Sequence, residues 1–263
     1  MRLSNTSKTL HPKKVICLKI FLISVIIMSL FIAVLGFIYI NKIKITYLFA
    51  EKYEVQGVDV SHYQGNIDWD VLYSQGIDFA YIKATEGSSH VDTKFDINWE
   101  NASKTEMKIG AYHFFSFDSE GKTQAQNYIE IVGNLEGKLI PVVDVEYYGD
   151  KKSNPPAKEE VVAELKDMLQ ILEKEYDVKP MIYTTYTVYF KYLKNEFDDY
   201  PLWIRDVYIM PNILIGNIWT MWQYSDTSTL NGYSGAEKYI DRDVFYGKVE
   251  DLENYTVQKV NEK

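Results

Sequence analysis

Residues 138–146 have the sequence Lys-Leu-Ile-Pro-Val-Val-Asp-Val-Glu, an apolar run that ends in two acidic residues. Side chains alternate between the two faces of a β-strand, so Val142, Asp144 and Glu146 share one face and the intervening valines share the other. If the valine face packs beneath helices, both carboxyls lie inside a barrel at the carboxyl end of a strand, where barrel enzymes place their catalytic groups. The segment therefore predicts a buried strand and an acidic site at its end.

Other short apolar runs resemble this one, and together they predict eight strands at 55–60, 78–84, 108–117, 138–146, 179–185, 201–205, 217–225 and 239–245. Amphipathic stretches typical of helices lie near 68–75, 93–106, 119–133, 157–176 and 186–196. Strand–helix alternation predicts an α/β protein with a parallel sheet, and eight strands predict a TIM-like (β/α) barrel. Because the last three strands are joined by short or irregular connections, we expect a modified barrel with about five helices.

An uncharged run of 21 residues, 20–40, precedes this region. At 1.5 Å per residue it is long enough to cross a hydrocarbon core of roughly 30 Å. Five basic residues precede the run, and the positive-inside rule then keeps the amino terminus in the cytoplasm and places the rest outside. The run is longer than the apolar core of a typical signal peptide, and no A-x-A-like cleavage site follows it. This favours an uncleaved anchor in the cell membrane over a cleaved signal peptide, which would give a secreted protein.

The resulting organisation is a cytoplasmic basic tail (1–19), a transmembrane signal anchor (20–40), a juxtamembrane linker (41–54), a barrel (55–250) and a polar tail (251–263). Seven of the 28 basic residues lie in residues 1–50. The other 21 basic residues and all 37 acidic residues lie in residues 51–263, which therefore carry a net charge of −16. Because nucleic-acid binding needs Lys and Arg to neutralise phosphates, this acidic body argues against a nucleic-acid partner.

The content of cysteine and histidine limits the possible metal sites. The single cysteine, Cys17, excludes an intramolecular disulfide framework and a cysteine-based zinc site. The four histidines form no His-x-x-x-His pair. We therefore expect neither a metal site nor a cofactor.

Two further strands are predicted to carry acids to the same rim as Asp144 and Glu146. Asp59 lies near the end of the first strand, and Asp241 lies on the last. Glycoside hydrolysis explains such convergence, because it needs a proton donor and a carboxylate near an oxocarbenium-like centre. A metal site would also explain it, although the scarcity of histidine disfavours that alternative. Two carboxyls held close together do not both ionise easily, so one can serve as an acid near neutral pH.

Around these acids the chain resembles glycoside hydrolase family 25, the Chalaropsis-type lysozymes or N-acetylmuramidases. The similarity runs from about 55 to 247 in the order Asp59-Val-Ser-His-Tyr-Gln-Gly65, Ala84-Thr-Glu-Gly87, Ala111-Tyr-His-Phe114, Pro141-Val-Val-Asp-Val-Glu146, Leu202-Trp-Ile204, Trp222-Gln-Tyr-Ser225 and Asp241. The resemblance implies a modified (β/α) barrel with five helices. It also implies hydrolysis of the β-1,4 bond after N-acetylmuramic acid, with peptidoglycan glycan strands as the partner. Glu146 is then the proton donor, and Asp59, Asp144 and Asp241 are the other active-site acids.

The resemblance further implies a substrate groove that contains Tyr112, Tyr183, Trp203 and Gln223. Flat aromatic rings suit the apolar faces of pyranose rings, and tyrosine hydroxyls can bond to sugar oxygens. Two residues depart from the family pattern. Arg205 stands where a small residue is usual, and it either contacts a carboxylate of the glycan or its peptide stem or pairs with a surface acid. Asp243 stands where Asn is common.

The role of Asp144 has two alternatives. Asp144 could attack the anomeric carbon, or it could orient the 2-acetamido group of the substrate for that attack. We favour the second, with net retention of configuration. Two other functions also remain open: hydrolysis of another N-acetylated glycan such as chitin, or glycan binding by a catalytically silent surface protein. Retention of every expected acid disfavours the silent protein.

Overall fold

The structure is a computed structural model that describes residues 12–40, 44 and 46–258. The chain divides into two compact units, residues 1–44 and 45–263. The first unit contains one helix, α1 (Pro12–Ile40), in which Val15–Val34 is long and apolar enough to cross a membrane, with a mean hydropathy of 2.8. A helix of this kind near the amino terminus is typical of both signal anchors and signal peptides.

The second unit is built on one sheet. Its described strands are β1 (Gln56–Val60), β2 (Phe79–Glu86), β3 (His90–Val91), β4 (Lys108–Phe114), β5 (Val142–Val145), β6 (Met181–Thr185), β7 (Leu202–Arg205), β8 (Met221–Ser228) and β9 (Ile240–Phe245). Eight of them close into a barrel in the order β1-β2-β4-β5-β6-β7-β8-β9, because β1 pairs with both β2 and β9. The two-residue strand β3 pairs with the end of β2 outside the barrel. The predicted eight-stranded barrel is therefore confirmed.

Eight further α-helices lie among the described residues of this unit: α2 (Tyr47–Ala50), α3 (Trp69–Tyr73), α4 (Phe95–Ala102), α5 (Gly121–Val132), α6 (Lys158–Tyr176), α7 (Tyr186–Val188), α8 (Asn212–Ile215) and α9 (Val249–Leu252). The five helices predicted from the sequence correspond to α3–α7, and α7 continues as a π-helical turn, Tyr189–Leu193. The other three have four residues each, which is too short for a helical repeat of apolar residues to be visible in the sequence.

The prediction of a wholly parallel sheet is wrong for β9. The other neighbouring barrel strands are parallel, but β9 is antiparallel to both β8 and β1. A parallel return normally needs a crossover helix, and residues 229–239 between β8 and β9 contain none. The reversed direction brings the amino end of β9 to the rim where the other barrel strands have their carboxyl ends.

The alternation predicted for residues 142–145 is confirmed by the packing. Val142 belongs to the cluster that fills the inside of the barrel together with Phe79 and Tyr81, whereas Val143 and Val145 belong to the layer beneath the helices. Space inside the barrel is limited: a Cβ on Gly57 would lie 2.2 Å from the Phe79 ring. Gly57 thus allows an aromatic side chain to fill the barrel below the rim.

The packed part of this unit extends beyond 55–250 at both ends. In the predicted linker, Ala50 is buried against Trp219 and Trp222, and the Thr46 hydroxyl donates a hydrogen bond to the Tyr224 carbonyl at 2.6 Å. In the predicted polar tail, Leu252 and Val257 are buried, and residues 256 and 257 form β-bridges with residues 139 and 136.

Candidate active site

The rim formed by the carboxyl ends of the parallel strands and the amino end of β9 surrounds a cavity of about 620 Å³. The structure brings together all eight site residues that were predicted from the sequence. The cavity is lined by the acids Asp59, Asp144, Glu146 and Asp241 and by Tyr112, Tyr183, Trp203 and Gln223. These residues come from seven strands and from the position directly after β5, so only closure of the barrel makes them neighbours.

Asp144 and Glu146 are held by β5 and by the residue that follows it. The strand alternation points both side chains into the cavity, and Asp144 is 7% exposed. Burial raises the pKa of Asp144 well above its usual range, and the nearby charges of Glu146 and Asp59 raise it further. Burial also raises the pKa of Glu146, although the positive charges of Arg205 and Lys83 lower it in part. The pair is thus arranged to retain a proton at a pH where an exposed carboxyl has lost it.

Asp59 and Asp241 face each other across the antiparallel pair of β1 and β9, where they are register partners. Burial raises the pKa of Asp241 to about 8, with further contributions from the charges of Asp59 and Asp226. Burial raises the pKa of Asp59 only to about 6, because hydrogen bonds from Gln223 and Asp243 favour its charged form. Asp59 is therefore the member of this pair that ionises first.

A chain of hydrogen bonds fixes the orientation of Asp59. The Tyr183 hydroxyl donates to Oε1 of Gln223 at 3.0 Å, and Nε2 of Gln223 donates to Oδ2 of Asp59 at 2.7 Å. Tyr183 and Gln223 are both buried, so neither side chain is free to rotate. Two of the four residues predicted for the substrate groove thus hold an acid in place.

Three features of the cavity and of the wall behind it were not predicted from the sequence. Lys83 lines the cavity, where its ammonium group lies 2.7 Å from Oε2 of Glu86 and 4.9 Å from the centroid of the Phe114 ring. A charged residue inside the apolar segment of β2 was the available signal. At the outer edge of the cavity, Tyr63 and Tyr239 add two more aromatic rings.

The third unpredicted feature is the environment of Asp243. Its side chain is completely buried, its Oδ1 accepts a hydrogen bond from Nε1 of Trp203 at 3.1 Å, and its carboxyl contacts that of Asp59. The sequence marked Asp243 only as a departure from the family pattern. Its spacing of two residues from Asp241 was the signal that both share one face of β9.

Arg205 combines features of both alternatives considered for it. Its guanidinium donates to Oδ2 of Asp226 at 2.7 Å, so it does pair with an acid, but both residues line the cavity. The positive charge of Arg205 also lowers the pKa of Glu146 relative to what burial alone would produce. The positive charge of Arg205 therefore offsets part of the negative charge of the acidic cluster.

Trp222 and His113 lie elsewhere, although both belong to the motifs. Trp222 is buried on the outer side of the barrel, and its Nε1 donates to the Asp206 carbonyl at 2.7 Å. His113 is also completely buried, between the Thr85 hydroxyl and the Gln124 side chain. Within the described ranges, no group of three or more His, Cys, Asp or Glu side chains is arranged to hold a metal ion.

Comparisons with known proteins reveal similarity along most of the barrel unit. The family model described as Glycosyl hydrolases family 25 matches residues 58–233, a range that includes Asp59, Asp144 and Glu146 and ends before Asp241. A solved structure of a family 25 glycosyl hydrolase from Bacillus anthracis is 50% identical, with a TM-score of 0.74, and the match covers 78% of this chain and 94% of that one.

Two curated proteins give matches of similar extent. The protein YegX of Escherichia coli (strain K12) is 33% identical over 208 residues, which are 77% of this chain and 74% of YegX. Lysozyme M1 of Streptomyces globisporus is 30% identical over 207 residues, which are 73% of this chain and 68% of that lysozyme.

Proposed function

Because this chain belongs to glycosyl hydrolase family 25 and is a glycoside hydrolase, we propose that it cleaves the β-1,4 bond between N-acetylmuramic acid and N-acetylglucosamine in peptidoglycan. The family supports lysozyme-type hydrolysis of the cell wall, and one of the similar proteins is named a lysozyme. The observation that carries the proposal is the convergence of Asp59, Asp144, Glu146 and Asp241 on one cavity.

Glu146 is the general acid of the proposed mechanism. It lies directly after β5 at the rim, and its burial favours the protonated form that an acid catalyst needs. When the glycosidic C–O bond breaks, Glu146 transfers its proton to the leaving oxygen. In the second step Glu146 takes a proton from the attacking water, so it ends the cycle protonated.

Asp144 orients the 2-acetamido group of the substrate. Its side chain lines the cavity and is 7% exposed there, so its carboxyl offers an acceptor for the amide N–H of a bound N-acetyl sugar. The acetamido oxygen then attacks the anomeric carbon, and an oxazolinium forms within the sugar. Because water later opens that ring from the face that the leaving group occupied, the configuration is retained.

The substrate groove consists of Tyr112, Tyr183, Trp203 and Gln223, and the four acids line the same cavity. Trp203 is held edge-on against the Tyr183 ring at 5.1 Å between centroids, which fixes the aromatic surface beneath the sugar. Asp59 ionises more readily than Asp241, its partner across the strand pair, and it provides negative charge next to the developing oxocarbenium ion.

The proposed location is the outer face of the cell membrane. Helix α1 contains a segment with the length and composition of a membrane span, and basic residues precede the apolar run. Retained as an anchor, it would leave the amino terminus in the cytoplasm and hold the barrel outside, within reach of the wall. Cleaved, it would release the barrel as a secreted enzyme.

The chemical proposal is tested by mass spectrometry of fragments that the full-length protein, kept in detergent, releases from purified peptidoglycan. Reduction with borohydride labels the new ends. We expect labelled ends on N-acetylmuramic acid, with little release from chitin as the comparison substrate. Labelled ends on N-acetylglucosamine, or equal release from chitin, would contradict the proposed bond specificity.

A further inference from the structure

Asp243 is an acid of the cluster that lies behind the cavity wall. Its side chain is completely buried on β9, and Oδ1 accepts the N–H of Trp203 at 3.1 Å. Among the described residues, Oδ2 receives no N–H or O–H from any fixed donor, and the Asp243 carboxyl interacts with the carboxyl of Asp59. A buried charge in this position would have one oxygen without a donor.

Two carboxyl groups in contact attract each other only when one of them carries a proton, because two carboxylates repel. The neighbours of the two acids decide which one is protonated. Asp59 accepts Nε2 of Gln223 at 2.7 Å and feels the positive charge of Arg205, and both favour its ionised form. Asp243 receives a single neutral donor, Trp203.

The groups that face Asp243 from each packed strand lead to the same assignment. β1 contributes the acid Asp59, β9 itself contributes Asp241, and β7 and β8 contribute the neutral side chains of Trp203 and Gln223. Burial raises the pKa of Asp243 well above its usual range, and the charges of Asp59 and Asp241 raise it further. With the proton on Oδ2, Oδ1 accepts from Trp203, Oδ2 donates to Asp59, and both oxygens are satisfied.

We propose that Asp243 is a positioning residue that acts as a neutral carboxylic acid: its O–H donates to Asp59 and holds that carboxylate ionised and oriented toward the substrate. The inference rests on the proposed function, since it assumes that Asp59 acts on a bound glycan. It adds to that function a fixed, protonated donor behind the cavity wall.

Two substitutions separate this role from that of a charged residue. In Asp243→Asn the amide can accept from Trp203 and donate to Asp59. We expect kcat/KM to stay within about tenfold of wild type, because an amide N–H is a weaker donor to a carboxylate than a carboxylic O–H. In Asp243→Leu the donor to Asp59 is lost. Because a hydrogen bond to a charged group is worth about 1.5–3 kcal/mol, the acid limb of the kcat/KM profile then moves up by about one to two pH units.

An inactive but folded Asp243→Asn protein would overturn the proposal, because it would mean that the charge of Asp243 is needed. The same conclusion would follow if the Asn and Leu variants had the same pH profile. Circular dichroism and thermal unfolding identify a variant that has simply failed to fold.

A spectroscopic test of the full-length protein in detergent needs no activity. At pH 7 the infrared difference spectrum of wild type minus Asp243→Asn contains the C=O band of a protonated carboxylic acid if the proposal holds. Absence of that band would refute a neutral Asp243 even in an active enzyme. If the difference spectrum contains the band but the wild-type protein releases no peptidoglycan fragments, the proposed function fails. The protonated state of Asp243 is then still supported.

Discussion

Asp59 of β1 and Asp241 of β9 are register partners in the antiparallel strand pair that closes the barrel. The partnership places two carboxyls side by side at the rim of the cavity that Asp144 and Glu146 also line. Because burial raises the pKa of both groups, to about 6 for Asp59 and about 8 for Asp241, the cluster spreads its ionisation over the neutral range. Such a spread allows neighbouring carboxyls to take acid and carboxylate roles at the same pH.

Replacement of Glu146 by Gln keeps the size of the side chain and removes its acidic proton. We expect the rate of peptidoglycan hydrolysis to fall by at least ~10²–10⁴-fold, the contribution typical of general acid catalysis. Folding should survive, because the change removes a carboxyl from a crowded cluster. Release of soluble muropeptides measures the rate, and Glu100→Gln on the exposed face of α4 is the matched control. Near-normal turnover by folded Glu146→Gln would exclude Glu146 as the acid.

The role of Asp144 can be decided with two mechanistic probes. If Asp144 orients the acetamido group, a thiazoline analogue of the oxazolinium should inhibit strongly, since ligands that resemble the transition state bind more tightly than substrates. Asp144→Asn should lower kcat, and no sugar should become attached to the enzyme. A fluorosugar that leaves a covalent adduct on the peptide containing Asp144 would instead identify a nucleophile.

The buried acids should make the stability of the empty enzyme depend on pH. The pKa of Asp241 is raised from 3.8 to about 8 on folding, so its neutral form is compatible with the fold and its charged form opposes it. Asp241 therefore contributes favourably to the free energy of unfolding below about pH 4, and this contribution is lost as the pH rises toward 8. We expect Asp241→Asn to be more stable than wild type at pH 8 by at least about 1 kcal/mol, and to lose this advantage near pH 4.

Chemical denaturation of both proteins at each pH measures that difference, and subtraction cancels the titrating groups that do not interact with Asp241. One such group is His113, because burial lowers its pKa to about 4 and its effect on stability has the opposite sign. Asp150→Asn, at an exposed position, is the matched control for the exchange of a carboxyl for an amide. A stability difference between Asp241→Asn and wild type that does not change with pH would contradict the raised pKa of Asp241.

The segment that precedes β1 should stabilise the barrel. Ala50 is buried against Trp219 and Trp222, and Thr46 is hydrogen-bonded to the Tyr224 carbonyl. A protein that begins at residue 46 should therefore melt at a higher temperature than one that begins at residue 51, by several degrees if about 1–2 kcal/mol of packing and hydrogen bonding is lost. Equal melting temperatures would mean that residues 46–50 contribute nothing to the fold.

An uncleaved α1 should keep the full-length protein in the membrane fraction after a high-salt wash, because apolar insertion is not screened by salt. Protease added outside wall-stripped cells should then remove the barrel and leave a short membrane-bound fragment. A mature amino terminus that maps to residues 37–45 in released protein would show that the segment is a cleaved signal.

The sequence by itself was enough to predict the parts of this protein that depend on local pattern. Alternation along 142–146 gave the inward direction of Asp144 and Glu146, and repeated apolar runs gave eight strands. The ordered motifs also indicated the family. Each of these depends on neighbours along the chain, where side-chain direction follows from backbone geometry.

The tertiary structure decided what depends on contacts between distant segments. The sequence of β9 does not reveal that it runs antiparallel to β1, and only that direction makes Asp241 the partner of Asp59. The contact between Asp243 and Asp59, the relay through Gln223 and the cavity position of Lys83 likewise join strands far apart in sequence. A strand pattern specifies which face of a strand is buried, but not which strand lies beside it, because pairing is set by barrel closure and by the chain connections.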